Sequence, residues 1–461
     1  MSIKSESLKT GKLAIPLILG EIAQIILHML DLAMIGALGA NSYQQVAASA
    51  LVFNVIIIPF VIGIGISMSV SQMVSLANGK GDDKLVSHYF FNGFWLCAFL
   101  AILISFGIEM SQDFILSYGG NQEKEVTEMA KPFMRVMGIS IIPMILFMTL
   151  KQFTDGLEYT KIAMVLSFAS VPINAFINWL LIFGNWGFPR MEMMGAAYGT
   201  LITRTLIFIA LGYVVLNHKV FKKYIDLKKT EWHFKWKTIK ELLHIGIPSG
   251  LQFGLEAGVF AFSAILIFEL FGARQMAAHQ VAMQCASFTY MISTGLSQAG
   301  AIRVSNAFGR KDWVKISTIG KSNLIISMSY GIICALFFFL LRDYLPLIFL
   351  EDSGKGSGGN NEVIVIASNL LLLAAIFQLS DTSQAISAGL LRGIKDVKVP
   401  TFLMFFGYWV ISLPIGYWMA TEQNFQTSGI WWGFIIGLTF TSITLTSRFF
   451  IKIKNNVTKN K

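Results

Sequence analysis

Long runs of apolar residues, separated by short polar stretches, make up most of this chain. Each run is long enough for the roughly 20 residues that a membrane-spanning helix needs. Twelve runs can be recognised, at about 13–38, 46–74, 89–110, 131–153, 162–184, 194–216, 242–271, 278–304, 318–341, 363–391, 398–420 and 428–451. Backbone groups in lipid must be hydrogen-bonded within their own segment, so each run predicts a helix. The pattern predicts an all-α integral membrane protein with twelve transmembrane helices.

Composition supports this prediction and narrows the class of protein. Hydrophobic residues make up 54% of the 461 residues and charged residues only 13%, whereas soluble proteins carry about 25% charged residues. Mean hydropathy is +0.63. These values exclude a soluble enzyme domain and a nucleic-acid-binding module. The expected partners are the lipid bilayer and small molecules.

The net charge of +10 is explained by topology, because the basic residues lie mostly in alternate loops. If the N-terminus is cytoplasmic, the inside segments hold most Lys and Arg residues, including the stretch 219–240 and the tail 448–461. The outside loops hold only Lys124, Lys131, Arg190, Arg274, Arg342 and Lys355. Cytoplasmic loops carry the excess of basic residues in membrane proteins. The bias therefore predicts that both termini are cytoplasmic.

The two halves of the chain share a sequence pattern. The series Gly65, Ser67, Val74, Ser75, Ala77, Gly79, Lys80 and Asp82 matches Gly295, Ser297, Val304, Ser305, Ala307, Gly309, Arg310 and Asp312 at an offset of 230. Further pairs in the same order are Ile15-Pro16 with Ile247-Pro248, Gly156-Leu157 with Gly389-Leu390, and Gly195 and Gly199 with Gly429 and Gly433. Ordered matches at similar offsets indicate a duplicated six-helix unit.

The duplication predicts the domain organisation. We expect an N-terminal six-helix lobe at 1–217, a cytoplasmic linker at 218–241, and a C-terminal six-helix lobe with a basic tail at 242–461. Six is an even number, so the repeats are parallel and related by an axis along the membrane normal. Transporters built in this way bind substrate near the midplane between repeats.

Three acidic residues stand out within predicted spans, where ionisable groups are costly and usually functional. They are Asp31 in span one, Glu256 in span seven and Asp381 in span ten. Glu21 and Glu269 lie nearer the span ends. At 1.5 Å per residue, Glu256 is about 22 Å above Glu241 and Asp381 about 16 Å above Arg392. Similar depths predict that these two carboxylates face one cavity. We interpret the three residues as a proton or monovalent-cation site, with Glu256 and Asp381 as the ligands if the cation is sodium.

Polar residues near these carboxylates are candidates for the wall of a cavity. Gln378, Ser380 and Thr382 flank Asp381 in span ten. Asn174 and Asn178 are one helical turn apart and present two amides on one face of span five. Such amides either line a polar cavity or hold helices together.

Other patterns indicate no chemistry. Cys97, Cys285 and Cys334 are isolated within apolar runs, so they predict neither a disulfide nor a metal site. His28 and Asp31 are spaced like two metal ligands, but a third ligand is missing. No ATP-binding motif is present. We expect no cofactor apart from a coupling ion.

Three stretches resemble the MATE (multidrug and toxic compound extrusion) family, in its NorM-like branch. They are IPLILGEIAQ with LDLAMIGALG in span one, HQVAMQ with ISTGLSQAGAIRVSNAFG around span eight, and QLSDTSQAISAGLLRGIKD in span ten. The resemblance extends over nearly the whole chain. Asn at 174 and 178, together with Glu256 and Asp381, is similar to the NorM-like rather than the DinF-like branch.

The resemblance implies a twelve-helix antiporter with two six-helix lobes, which expels organic cations and other drugs in exchange for sodium or protons. It implies that Asp31 is the acidic group of the N-terminal lobe and that Glu256 and Asp381 form the cation site of the C-terminal lobe. We expect a monomer in the inner membrane of a bacterium, although the sequence does not itself give the oligomeric state. The polar, Gly-rich segment 351–362 departs from the family pattern and is interpreted as an inserted loop.

Two other functions stay open at this point. One is a flippase for lipid-linked precursors, which would need basic residues in its cavity to bind a pyrophosphate. Arg204 is the main basic residue within the spans, so the sequence disfavours this alternative. The other is an integral membrane enzyme, which would need clustered His, Asp or Cys residues at a membrane face. The choice between sodium and protons, and the natural substrate, are also open.

Overall fold

Helices account for nearly all of the structure. The structure, a computed structural model, describes residues 2–38, 42–118, 124–225, 233–350 and 359–459, and this part of the chain contains no strand. The α-helices are α1 (Ile3–Gly36), α2 (Ser42–Lys80), α3 (Asp83–Tyr118), α4 (Lys124–Gly156), α5 (Thr160–Phe183), α6 (Met193–Asn217), α7 (Lys219–Lys222), α8 (Trp236–Gly309), α9 (Trp313–Leu341), α10 (Gly359–Gly393), α11 (Lys398–Phe405), α12 (Leu413–Thr421) and α13 (Thr427–Lys459). Short 3₁₀ turns lie at Asn185–Gly187 and Leu345–Ile348, and a π-helical segment at Phe406–Ser412 joins α11 to α12.

Within the described ranges, eleven helices are long and apolar enough to cross a membrane. One of them, α8, has 74 residues and would be about 110 Å long if it were continuous. Its backbone is broken at Gly272, where φ is 80° and ψ is −175°. Two predicted spans, 242–271 and 278–304, therefore lie on either side of this glycine. The predicted all-α membrane architecture is confirmed.

The chain divides into two compact units. The first unit contains 1–18 and 251–461, and the second contains 19–250. Thus α1 and α8 each begin in one unit and continue in the other. The large apolar core of the first unit includes Leu13 and Leu17 of α1 together with residues from 259 to 453. The core of the second unit extends from Ile35 to Ala197. The division at a linker of 218–241 stays a prediction.

The N-terminal parts of α1 and α8 pack against glycines that are equivalent in the two repeats, Gly295 and Gly65. In the second unit, Gly246 of α8 lies so close to α2 that an added Cβ would be 2.7 Å from Ile66 Cα. In the first unit, a Cβ on Gly295 would be 3.0 Å from Ile18 Cα. Gly65 of α2, which packs against Gly250, corresponds to Gly295 at the 230-residue offset. The contact between α2 and the N-terminal part of α8 therefore repeats the contact between α1 and the part of α8 after Gly272.

The turn after each of these helices is also repeated. Asp82 accepts a hydrogen bond from the Leu85 backbone N–H at 2.9 Å and so caps α3. Asp312 accepts the same bond from the Lys315 N–H at 2.9 Å and caps α9. A side-chain acceptor at this position satisfies one of the unpaired N–H groups of the first helical turn.

One pairing made from the sequence is wrong. Gly156 packs against Ser71. The equivalent of Ser71, 230 positions later, is Ala301, and Gly393 packs against it. The partner of Gly156 in the repeat is therefore Gly393 and not Gly389. Gly389 packs instead against Ser297, one turn away. Two glycines four residues apart lie on the same face of α10, so the sequence alone does not distinguish them.

The segment predicted as an inserted loop is only partly visible. Residues 351–358 lie outside the described residues, and 359–362 already belong to the first turn of α10.

Candidate functional site

In the second unit, Asp31 on α1 is buried and both of its carboxylate oxygens accept hydrogen bonds. Asn178 Nδ2 on α5 donates to Oδ1 at 2.6 Å. Thr200 Oγ1 on α6 donates to Oδ2 at 2.9 Å. Three helices therefore meet at one carboxylate, and direct hydrogen bonds to a charged group are among the stronger ones in proteins.

The two asparagines predicted on one face of α5 do face each other. Asn178 Nδ2 also donates to Asn174 Oδ1 at 3.1 Å. The amide of Asn178 fits against α6 because residue 199 is glycine, where a Cβ would overlap Asn178 Oδ1. Asn174 Nδ2 and Asn178 Oδ1 are buried without a hydrogen-bond partner. Asn174 also interacts with the Asp31 carboxylate, and Asn178 Oδ1 packs against Gly199, so this amide pair is part of the packing between α1, α5 and α6.

A positive charge lies close to Asp31. The Arg204 guanidinium on α6 interacts electrostatically with the Asp31 carboxylate, and its Nη1 donates to Ser140 Oγ at 2.6 Å. A buried carboxylate is stable only when charge and hydrogen bonds compensate for lost hydration. The Asp31 cluster, defined as Asp31, Asn174, Asn178, Thr200 and Arg204, is therefore largely compensated by the protein itself.

In the first unit, Glu256 has a different environment. It lies in the part of α8 before Gly272, and Tyr290, in the part after Gly272, donates from its hydroxyl to Glu256 Oε2 at 2.9 Å. Glu256 Oε1 is buried without a partner. Tyr290 thus gives the clear hydrogen bond to this carboxylate, and the Tyr408 hydroxyl interacts with it as well.

Asp381 on α10 is still less compensated. It is 1% exposed, and neither carboxylate oxygen has a hydrogen-bond partner. Its charge interacts with that of Glu256. One turn earlier, Gln378 is fully buried and its amide oxygen and nitrogen are also unpartnered. Within these three side chains, several oxygen acceptors are thus buried and unsatisfied.

Two tyrosines and a glutamine complete this cluster. The Tyr408 hydroxyl donates to Gln384 Oε1 at 2.6 Å, and Tyr408 interacts electrostatically with both Glu256 and Asp381. Tyr408 lies in the π-helical segment between α11 and α12, and such segments are often found at functional sites. We refer to Glu256, Tyr290, Gln378, Asp381, Gln384 and Tyr408 as the Glu256–Asp381 cluster.

The hydroxyls predicted beside Asp381 make contacts between helices. Ser380 Oγ is 2.7 Å from Thr439 Oγ1 on α13. Thr382 Oγ1 donates to the Gln378 carbonyl at 2.8 Å and accepts from Ser293 Oγ at 3.3 Å. Their role in lining a cavity stays a prediction.

Several residues of these clusters carry no signal that sequence reasoning could use. Thr200, Tyr290 and Tyr408 are uncharged residues in a chain with 13% aromatic residues and many hydroxyls. A buried ion triad was also missed. In it, Lys151 Nζ lies 2.8 Å from Glu21 Oε1 and 3.9 Å from Asp155 Oδ2. In the described part of the chain, no group of three His, Cys, Asp or Glu residues is arranged to hold a metal ion.

The fold and these polar clusters are typical of a polytopic membrane transporter. The family model MatE matches the chain twice, at 16–180 and 248–418. The two matches begin 232 residues apart, which agrees with the internal repeat. This chain belongs to the MATE family of membrane transporters, and the resemblance stated from its motifs is confirmed.

Relatives and solved structures agree with this assignment. The chain is 33% identical to the probable multidrug resistance protein NorM of Agrobacterium fabrum, over 96% of this chain and 94% of the relative. It is 30% identical to the multidrug resistance protein MdtK of Proteus mirabilis, over 95% and 93%.

The fold is shared with solved transporters of low sequence identity. The eukaryotic MATE transporter AtDTX14 superimposes with a TM-score of 0.85 at 19% identity, over 99% of this chain and 98% of that chain. A MOP superfamily transporter from Pyrococcus furiosus superimposes with a TM-score of 0.87 at 17% identity, over 98% and 96%. These likenesses show that the chain shares the fold of these transporters.

Proposed function

We propose that this chain is a multidrug efflux antiporter that exports small cationic or amphipathic organic compounds in exchange for Na⁺ or H⁺. The observation that carries the proposal is the Glu256–Asp381 cluster. It holds two interacting buried carboxylates with three unpartnered oxygens between them. Two relatives of nearly equal length are named as multidrug resistance proteins.

The chemistry follows from charge and solvation. Two uncompensated carboxylates are unfavourable in a low-dielectric interior, and a proton, a sodium ion or an organic cation each removes part of that cost. Oxygen atoms are the ligands that hard cations prefer. Ligands that neutralise the same carboxylates compete with one another, so binding of the coupling ion on one side of the membrane releases the drug.

The coupling arises from this competition or from a conformational bias, and its size has a limit. A ligand shifts the balance between two facing states only as far as its affinities for those states differ. Glu256 and Asp381 are assigned to the coupling ion, and the Asn174–Asn178 amides, with Gln378, Ser380 and Thr382, are assigned to the wall of the substrate cavity.

The distribution of basic residues supports an orientation. We assign both termini to the cytoplasm because the basic stretch 219–240 and the tail 448–461 fall on one side of the predicted spans. The bacterial relatives support an inner-membrane location. We propose that the functional unit is a monomer, since each unit contains its own polar cluster.

A flippase of lipid-linked precursors is the alternative, and the environment of Arg204 argues against it. A flippase would use basic side chains to hold a pyrophosphate. Arg204, the main candidate for that task, already donates to Ser140 and interacts with Asp31. By contrast, both carboxylate oxygens of Asp381 are buried without a hydrogen-bond partner.

Efflux of ethidium from reconstituted vesicles tests the proposal, with a sodium gradient and a pH gradient imposed separately. Export driven by one gradient alone supports the antiporter and identifies the coupling ion. Export driven by neither gradient contradicts it. Lipid-linked substrates would then be measured in the same vesicles.

A further inference from the structure

A cavity at the end of the first unit has no role in the proposed transport cycle. Its volume is about 430 Å³. It is lined by Phe308, Trp313, Ile394, Lys452, Asn455 and Asn456. These residues come from the α8–α9 turn, the end of α10 and the last turns of α13. All of these segments are cytoplasmic in the proposed orientation.

The electrostatics of this cavity leave one positive charge in excess. Asp396 accepts from Arg448 Nε at 2.7 Å and from Arg448 Nη2 at 3.1 Å. Its Oδ2 also lies 2.8 Å from Lys452 Nζ. One carboxylate therefore serves two cations. An ammonium has three N–H donors, so Lys452 retains donors for an anion in the cavity that it lines.

The surroundings add positive charge and few negative groups. Within 306–321, 392–398 and 448–454, the acidic residues are Asp312 and Asp396 alone. Asp312 is occupied in capping α9. Basic residues in the same segments are Arg310, Lys311, Lys315, Lys321, Arg392, Lys395, Lys398, Arg448, Lys452 and Lys454. The cavity thus lies in a strongly positive field.

Apolar side chains beside the cavity favour a lipid over a soluble anion. Val314, next to Trp313, is 68% exposed, and Ile451, next to Lys452, is 59% exposed. Trp313 packs edge-on against Phe308 at 5.4 Å between ring centroids. Tryptophan and exposed aliphatic residues beside lysines are typical of the membrane–water interface.

The corresponding position in the second unit is filled by the protein. At the 234-residue offset that relates α6 to α13, Asn455 corresponds to Phe221. Phe221 is fully buried, with its ring centroid 5.9 Å from that of Phe153 and 5.6 Å from that of Tyr159. Asn455 is exposed. At this position one repeat has a buried aromatic ring, Phe221, and the other has an exposed amide, Asn455.

We propose that this cavity binds the phosphate of an anionic phospholipid headgroup, with Lys452 as the charged donor, Asn455 and Asn456 at the rim, and Trp313 against the adjoining acyl chain. Basic pockets on the cytoplasmic side of membrane proteins are suited to such headgroups. The bound lipid links the ends of α10 and α13 to the inner leaflet.

Lipid titration of the purified full-length chain in a neutral detergent tests this proposal. Thermal unfolding is followed while short-chain phosphatidylglycerol, or phosphatidylcholine of equal chain length, is added. We expect saturable stabilisation by phosphatidylglycerol. Lys452→Gln should weaken it about five-fold, which corresponds to about 1 kcal/mol per basic residue near a membrane surface.

Two further variants make the test specific. Lys454→Gln removes the same charge two residues away, at an exposed position that does not line the cavity; it should change the affinity less than about two-fold if the site is local. Asn455→Phe places a ring where the other repeat has Phe221 and should abolish the lipid effect while every charge stays in place. Its elution profile and its unfolding temperature without lipid report whether it folds.

Four outcomes would overturn the proposal. The first is equal stabilisation by phosphatidylcholine. The second is a loss for Lys454→Gln as large as that for Lys452→Gln, which would indicate a diffuse surface potential. The third is equal stabilisation by inorganic phosphate without lipid, which would make the ligand a soluble anion. Normal lipid stabilisation in a folded Asn455→Phe protein would likewise exclude the cavity.

Discussion

The buried carboxylates of the two units differ in their hydrogen bonds and in the charges beside them. Asp31 in the second unit receives one hydrogen bond on each oxygen and has Arg204 nearby. Asp381 in the first unit has no hydrogen-bond donor and interacts with a second carboxylate, Glu256. A satisfied carboxylate has little to gain from an added cation, whereas an unsatisfied pair has much to gain. We therefore expect Asp381 to depend more strongly on an added cation than Asp31 does.

The largest effect is expected when the unsatisfied carboxylate loses its charge. Asp381→Asn should fold normally, since no hydrogen bond to its carboxylate is lost, yet export should fall below about 1% because the coupling charge is gone. Ethidium efflux from vesicles is the measurement. Asp343→Asn makes the same chemical change at a side chain that is 68% exposed and should leave export unchanged. Near-normal export by Asp381→Asn would remove the contrast between the units.

A smaller loss is expected for the satisfied carboxylate. Asp31→Asn keeps an oxygen for Asn178 and an amide that donates to Thr200, but it leaves the Arg204 charge without its counter-charge. Export should fall about ten-fold, equal to about 1.4 kcal/mol. Initial efflux rates in the same vesicles measure it. If the loss equals that of Asp381→Asn, both carboxylates belong to the coupling machinery and the comparison fails.

Removing the Tyr290 hydroxyl should leave the Glu256 carboxylate with fewer hydrogen bonds, closer to the state of Asp381. In Tyr290→Phe the bond to Glu256 Oε2 is lost, so the carboxylate binds a proton or cation more tightly. The ion concentration that gives half-maximal export should fall about three-fold, a modest share of the 1.5–3 kcal/mol attributed to hydrogen bonds of charged groups. Tyr344→Phe, at a largely exposed position, is the matched control. A shift to higher ion concentration would contradict the assigned role of the tyrosine.

The last expected effect concerns folding stability and comes from crowding the amide beside Asp31. The Cβ in Gly199→Ala overlaps Asn178 Oδ1, so the variant should lose about 1–3 kcal/mol of stability, as overpacked cores do. Gly212→Ala lies on the same helix with its nearest neighbour at 3.7 Å and should be neutral or slightly stabilising. Unfolding temperatures of the two variants test this difference, and equal values would show that Asn178 moves without cost.

The sequence predicts the fold well because lipid leaves few alternatives. An apolar run of about 20 residues becomes a helix, since backbone hydrogen bonds are satisfied in no other way. The pattern of apolar runs does not show that α1 and α8 each begin in one unit and continue in the other. Nothing in the apolar run around Pro16 or Pro248 marks the boundary at 18/19 or 250/251, which depends on contacts with distant residues.

In the candidate site, too, some residues are predicted from the sequence and others are found only from the structure. Charged residues stand out in apolar spans, so Asp31, Glu256 and Asp381 are found from the sequence. The partners of these carboxylates are found only from the structure, because Thr200 and Tyr290 are ordinary residues until packing brings a carboxylate to their hydroxyl groups. The difference between the two carboxylate environments is therefore a property of packing.

The position of the first residues of α1 has a consequence for biosynthesis. Arg303 donates to the Glu6 carbonyl at 2.8 Å and pairs with the Glu6 carboxylate. The two residues are 297 positions apart. At about 5–20 residues per second, the ribosome needs roughly 15–60 seconds between them. Glu6 also pairs with Lys9, three residues later, and this local contact does not require Arg303. Glu6 therefore reaches its final contacts well after its own synthesis, once the predicted eighth span is complete.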